Sequence, residues 1–159
     1  MTKNEIRLID SLLAKSTSTE WDIAKLEWEL TQITVGSDTC SCGKTSIHRI
    51  CLLTNVSTLQ TAILGSTCVE KYLYINCEHI FKDVEKGFGN RFVKLTTLEF
   101  AYSRKYISEW EFNVYNNLRS WKKLSDKQKG IRDKVNSRVS KLLESWRVAP
   151  VITIKEQTI

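Results

Sequence analysis

The sequence predicts an α+β protein: a small metal-bound β-hairpin of treble-clef-like form, flanked by N-terminal helices and a C-terminal helical region. Three observations carry this. Ser or Thr recurs three residues before Glu or Gln, ahead of apolar residues at helical spacing, which is the capping-box signature. Two short β-branched and apolar runs, 47–53 and 59–64, bracket the turn residues Asn55-Val56-Ser57-Thr58. Cysteines gather in a polar turn, Cys40-Ser41-Cys42-Gly43, where thiols of an ordinary core do not belong.

The elements follow in order. Residues 4–15 form a first helix with Ile6, Ile9 and Leu13 on one face, and 16–19 break it. A second helix runs to about residue 33 and buries Trp21, Ala24 and Trp28 at i, i+3 and i+7. Gly36 to Thr39 turn the chain. The hairpin ends at Gly65, and a helix follows from Ser66. Gly87-Phe88-Gly89-Asn90 is a turn. From residue 96 to 147 the chain is helical, with breaks near Ile107 and Leu124. The last helix, from Asp126, buries Ile131, Val135, Val139, Leu142 and Trp146. Capping boxes are expected at Thr17/Glu20, Thr67/Glu70, Thr96/Glu99, Ser108/Glu111 and Ser125/Gln128. The tail alternates like a strand over 151–154. The segments are 1–35 (helical pair), 36–85 (hairpin and helix), 86–147 (basic helical module) and 148–159 (tail), and they are compatible with one compact domain.

Composition sets the limits. The chain has 159 residues, 42% apolar and 26% charged, which is globular and enough for one core. No apolar run approaches the ~20 residues of a membrane helix. The start, Met1-Thr2-Lys3-Asn4-Glu5, has no signal-peptide character. A cytoplasmic protein with no membrane partner is expected. Five cysteines without an export signal read as metal ligands plus buried thiols. Two histidines, His48 and His79, exclude any mechanism that needs several imidazoles.

Zinc fits the cysteine pattern. A structural zinc takes four thiolate or imidazole ligands in a tetrahedron. Cys40 and Cys42 make a tight knuckle with Gly43, and Cys68 lies in the first turn of the helix after the hairpin, where N–H groups stabilise a thiolate. The fourth ligand comes from the hairpin. His48 is favoured, and Cys51 is the alternative, since Cys51 sits in the apolar run 50–53 and reads as a core residue. Cys77 reads as a core thiol and His79 as a surface residue, although together they form a second Cys-x-His pair. No carboxylate stands in a metalloenzyme arrangement, so the expected zinc is structural.

Two stretches resemble known sequences. Cys40-x-Cys42-Gly43, Ile47, Leu53-x-Asn55 and Gly65-Ser66-x-Cys68-Val69-x-Lys71-Tyr72 resemble a small zinc module of bacteriophage and large-DNA-virus proteins. That resemblance implies Cys40, Cys42 and Cys68 as ligands and leaves the fourth open. Ser108 to Phe112, with Leu124-Ser125-x-Lys127-Gln128, resembles a helical module of phage and plasmid proteins, from which Gly130 departs. It implies an accessory protein and no particular reaction. If phage-encoded, the protein belongs in the cytoplasm of the host cell.

Charge completes the reading. Residues 1–85 carry eight Lys/Arg against eleven Asp/Glu, whereas 86–147 carry fifteen against six. A basic half on a mildly acidic one suits a partner bearing phosphates. Lys127, Lys134, Arg138 and Lys141 fall on one flank of the last helix, with Lys122 and Lys123 just before it. Trp121 and Trp146 read as core, although Trp121 beside its lysines could stack on a base. The loop 86–92 reads as a tight turn with Phe88 and Phe92 folded inward, the other reading being a nucleic-acid-facing loop. No catalytic constellation and no small-molecule substrate site emerges. The expectation is a non-enzymatic, zinc-stabilised protein that binds DNA or RNA. The alternative is an inhibitor or adaptor that binds a host protein of nucleic-acid processing or defence.

Overall fold

A computed structural model describes residues 1–144. The expectations for Trp146 and for the strand-like tail lie outside the described residues. Helix α1 (Lys3–Leu13) begins at a capping box formed by Thr2 and Glu5. It buries Leu8 and Leu12, with Ile9 against the core, and leaves Ile6 exposed, so its inner face is not the 6–9–13 face.

The second expected helix does not form beyond one turn. Helix α2 (Trp21–Ala24) passes into a 3₁₀ turn (Lys25–Glu27), and the chain then extends as β1 (Trp28–Asp38). Ala24 and Trp28 are buried as the helical spacing required, and Trp21 packs against the core. But Thr31, Ile33, Thr34 and Val35 are β-branched, which a helix penalises and a pleated surface accommodates. The strand also takes in residues 36–38, expected as a turn, through a register shift between Val35 and Asp38.

The hairpin forms where expected. Strands β2 (Ile47–Asn55) and β3 (Thr61–Gly65) pair antiparallel, with Cys51 opposite Leu64 and Leu53 opposite Ala62. β1 pairs with the other edge of β2, with Trp28 opposite Asn55 and Ile33 opposite Cys51, so the sheet order is β1-β2-β3. Asn55 is fully buried and builds the turn. Its Oδ1 accepts the N–H groups of Ser57 and Thr58, and its Nδ2 donates to Glu27.

Six segments complete the described chain: α3 (Ser66–Leu73), α4 (Glu78–Glu85), α5 (Leu95–Ser103), α6 (Glu109–Leu118), α7 (Asp126–Ser140) and a 3₁₀ turn (Lys141–Leu143). The boxes at Ser108/Glu111 and Ser125/Gln128 form. Those at Thr17, Thr67 and Thr96 do not. α3 and α5 are already helical at Ser66 and Leu95, so Thr67 and Thr96 sit inside their helices and cannot cap them.

One contiguous core runs from Leu8 through Leu53, Phe81 and Leu98 to Leu142. α7 contributes Val135, Val139 and, just after it, Leu142, while Ile131 is only partly buried. Two polar links hold the C-terminal helices. The Tyr115 hydroxyl accepts the Val93 N–H at 2.6 Å and donates to Asn136 Oδ1 at 2.6 Å. Thr34 Oγ1 donates to the Leu143 carbonyl at 2.7 Å. Among the described residues no helix is long and apolar enough to cross a membrane.

Candidate metal centre

The sulfurs of Cys40, Cys42 and Cys68 lie within 4.8 Å of one another, at the end of the sheet where β3 passes into α3. Backbone geometry assembles them. Residues 40–43 fold as a knuckle, closed by Gly43 N–H to the Cys40 carbonyl at 2.8 Å and Cys40 N–H to the Lys44 carbonyl at 2.9 Å. Ser41 ties the knuckle to β3, donating both its N–H and its hydroxyl to the Ile63 carbonyl. β3 ends two residues later, and α3 then places Cys68 in its first turn. Gly43 has φ of 96°, which favours glycine, and the Arg7 side chain of α1 lies so close that a Cβ there would collide with it.

N–H groups point at the sulfurs. Cys42 and Gly65 donate to Cys40 Sγ at 3.5 and 3.3 Å, and Lys44 donates to Cys42 Sγ at 3.5 Å. The Cys40 thiol is pushed down to about 5. Its hydrogen bond from Cys68 is the largest cause; burial opposes the drop, and the Cys42 and Gly65 N–H groups assist it. Cys68 moves the other way, because it holds the proton shared with Cys40 and is itself partly buried. A thiolate with a ring of N–H donors is the state a metal ligand requires.

The donor set fits a soft-to-borderline cation. Zn–S bonds of about 2.3 Å place tetrahedral sulfurs roughly 3.8 Å apart, within the observed grouping. Three thiolates favour zinc over calcium or magnesium, which take oxygen ligands.

Neither proposed fourth ligand joins this group. His48 is exposed, following buried Ile47 where the β1–β2 register slips. Cys51 is fully buried, but its Sγ lies 3.9 Å from Cys77 Sγ. Cys77 is a core thiol at the start of α4, and His79 is half-buried on that helix. Sequence reasoning missed Arg7 and the Ser41–Ile63 tie. The first has no local signal. The second could have been read from a serine between two ligands.

The basic half is arranged as follows. Lys122, Lys123, Lys127, Lys134 and Lys141 are exposed, and none has an ion pair among the described residues. Arg138 is different, since its Nη1 donates to Glu111 Oε1 at 2.7 Å. Trp121 is 55% exposed and does not join the core. Phe88 and Phe92 are partly buried against the core, with the Arg91 and Arg132 guanidinium groups over their rings.

No protein-family model, curated protein or solved structure matches the chain.

Proposed function

We propose that this chain is a non-enzymatic nucleic-acid-binding accessory protein of phage type, with a structural zinc held by Cys40, Cys42 and Cys68. Bound zinc supplies cross-linking and no reaction step: it ties the 40–43 knuckle to the first turn of α3. The fourth ligand comes from outside the three-sulfur group. Arg7, whose side chain lies against Gly43 of the knuckle, adds a positive charge on the same side of the fold.

The observation that carries the nucleic-acid reading is the row on α7. Lys127 and Lys134 are exposed without ion pairs, while the adjacent flank of the same helix is anchored by buried Val135 and Val139. The core therefore fixes the direction in which these cations project. Such a row suits successive phosphates, and phosphate contacts position a protein without reading sequence.

The test is the double variant Lys127→Glu/Lys134→Glu, titrated with single- and double-stranded DNA and RNA across a salt series. Binding should weaken for all sequences alike. The slope of log K against log salt should flatten by about 2, one unit for each lost phosphate contact. Zinc content and helicity should stay unchanged. Equal binding by variant and wild type would reduce the row to a solvated face. Failure of the wild type to bind any nucleic acid at about 100 mM salt would favour docking on a host protein instead.

A further inference from the structure

We propose that the groove between α6 and α7 is a base pocket for an unpaired guanine, which rests on the nucleic-acid reading above and adds a base contact to it. The groove encloses about 330 Å³ and is lined by Trp110, Glu111, Ile131, Lys134 and Arg138, among others. That volume stands at the small end of ligand pockets and is large enough for one base.

Glu111 supplies the specific signal. The residue is 7% exposed. Its Oε1 accepts the Ser108 N–H at 3.1 Å and Arg138 Nη1 at 2.7 Å. Its Oε2 is buried and has no hydrogen-bond partner among the described residues. A buried carboxylate oxygen is rarely left without a donor. The pocket it lines is also bordered by Lys134, which is exposed, and by Trp110, which is 61% exposed.

The remaining walls fit a nucleotide. A large exposed indole offers a stacking face, and stacking tolerates any base. Lys134, at the same groove, belongs to the cationic row and reaches a neighbouring phosphate. The carboxylate then selects among the bases. Guanine presents two adjacent donors, N1–H and N2–H, on one edge. In adenine and cytosine the amino group stands beside a ring-nitrogen lone pair, and in uracil and thymine N3–H stands between two carbonyls. Each of those acceptors repels a carboxylate.

The experiment compares a short oligothymidylate with the same strand carrying one central guanine, adenine or cytosine, and with guanosine monophosphate alone. The guanine strand should bind roughly tenfold more tightly than the oligothymidylate, the gain of hydrogen bonding to a charged acceptor. Glu111→Gln keeps a side chain suited to the capping box and should erase the guanine preference while leaving oligothymidylate binding in place. Trp110→Ala, at an exposed position, should weaken binding of all four strands alike and keep the fold by circular dichroism. Equal binding of all four strands by the wild type would overturn the pocket and leave the phosphate reading standing. No binding of any strand would overturn the phosphate reading. In that case guanosine monophosphate decides the pocket: binding assigns it to a free nucleotide, and no binding removes it.

Discussion

The Sγ atoms of Cys51 and Cys77 lie 3.9 Å apart, both residues are fully buried, and neither belongs to the sulfur group of Cys40, Cys42 and Cys68. The five cysteines thus divide by position into a trio at the end of the sheet and a pair inside the core. Cys51→Ala and Cys77→Ala should each retain about one zinc per chain and cost about 1–2 kcal/mol for the small cavity. Cys40→Ser and Cys68→Ser should lose the metal. Metal analysis of the purified variants, with urea unfolding beside it, separates the two classes.

Thiol labelling gives an independent check. The hydrogen bond to Cys77, together with burial, pushes the Cys51 thiol up, so it stays protonated and inert at neutral pH. In the native protein treated with chelator, a thiol reagent should reach the Cys40–Cys68 pair, which holds the thiolate and includes the least buried of the five cysteines, and leave Cys51 and Cys77 untouched until unfolding. Early labelling of Cys51 would contradict the arrangement.

His48→Ala should leave zinc content unchanged, and stability within about 0.5 kcal/mol of wild type, as for an exposed side chain away from any special feature. Loss of zinc in this variant would show that His48 turns inward to supply the fourth ligand.

The Asp83 carboxylate, 1% exposed, pairs with Arg91 and accepts the Lys94 N–H at 2.8 Å. Burial acts to raise its pKa, but the Lys94 N–H and then Arg91 outweigh it, so the carboxyl lies below its ordinary value of 3.8. A folded pKa below the unfolded one gives stability that is present above the ordinary value and lost as pH falls through the folded one. Asp83→Asn should therefore cost about 2–4 kcal/mol at neutral pH, since it leaves part of a buried charge network unpaired. The gap from wild type should narrow as acid protonates Asp83 in both folded and unfolded wild-type chains. Denaturant titrations at neutral and acidic pH measure it.

Tyr115→Phe removes the hydroxyl between Val93 and Asn136 and leaves a buried donor and a buried acceptor unmatched. It should cost about 1–3 kcal/mol. Combined with Asn136→Ala, the losses should fall short of their sum, because both act on one network. Additive losses would show that the two residues act separately.

Local chemistry was legible where it was self-contained. The boxes at Ser108 and Ser125 need only four residues each, and both form. The turn at Asn55 was also readable, because asparagine closes it on the next three residues. β1 was not readable in this way. The spacing of Trp21, Ala24 and Trp28 satisfies a helix, and what overrides it is β2, which begins some twenty residues after Trp28 in the chain. At the metal centre the sequence supplied the three cysteines that gather. It could not show which neighbour approaches them, because the knuckle hangs from β3 through Ser41, a tie made across 22 positions in the chain.

The bond from Thr34 to the Leu143 carbonyl spans 109 positions in the chain. Its consequence lies in the order of events during synthesis. The middle strand can pair with both neighbours once residue 65 has emerged from the ribosome, yet the pocket around Thr34 stays open until residue 143 arrives. A nascent chain must therefore carry a partly covered sheet for more than seventy further residues, the long-range closure that slows folding and exposes apolar surface on the way. Truncations that end between Cys77 and Leu142 should consequently accumulate as aggregates, although every cysteine and the whole sheet are already present in them.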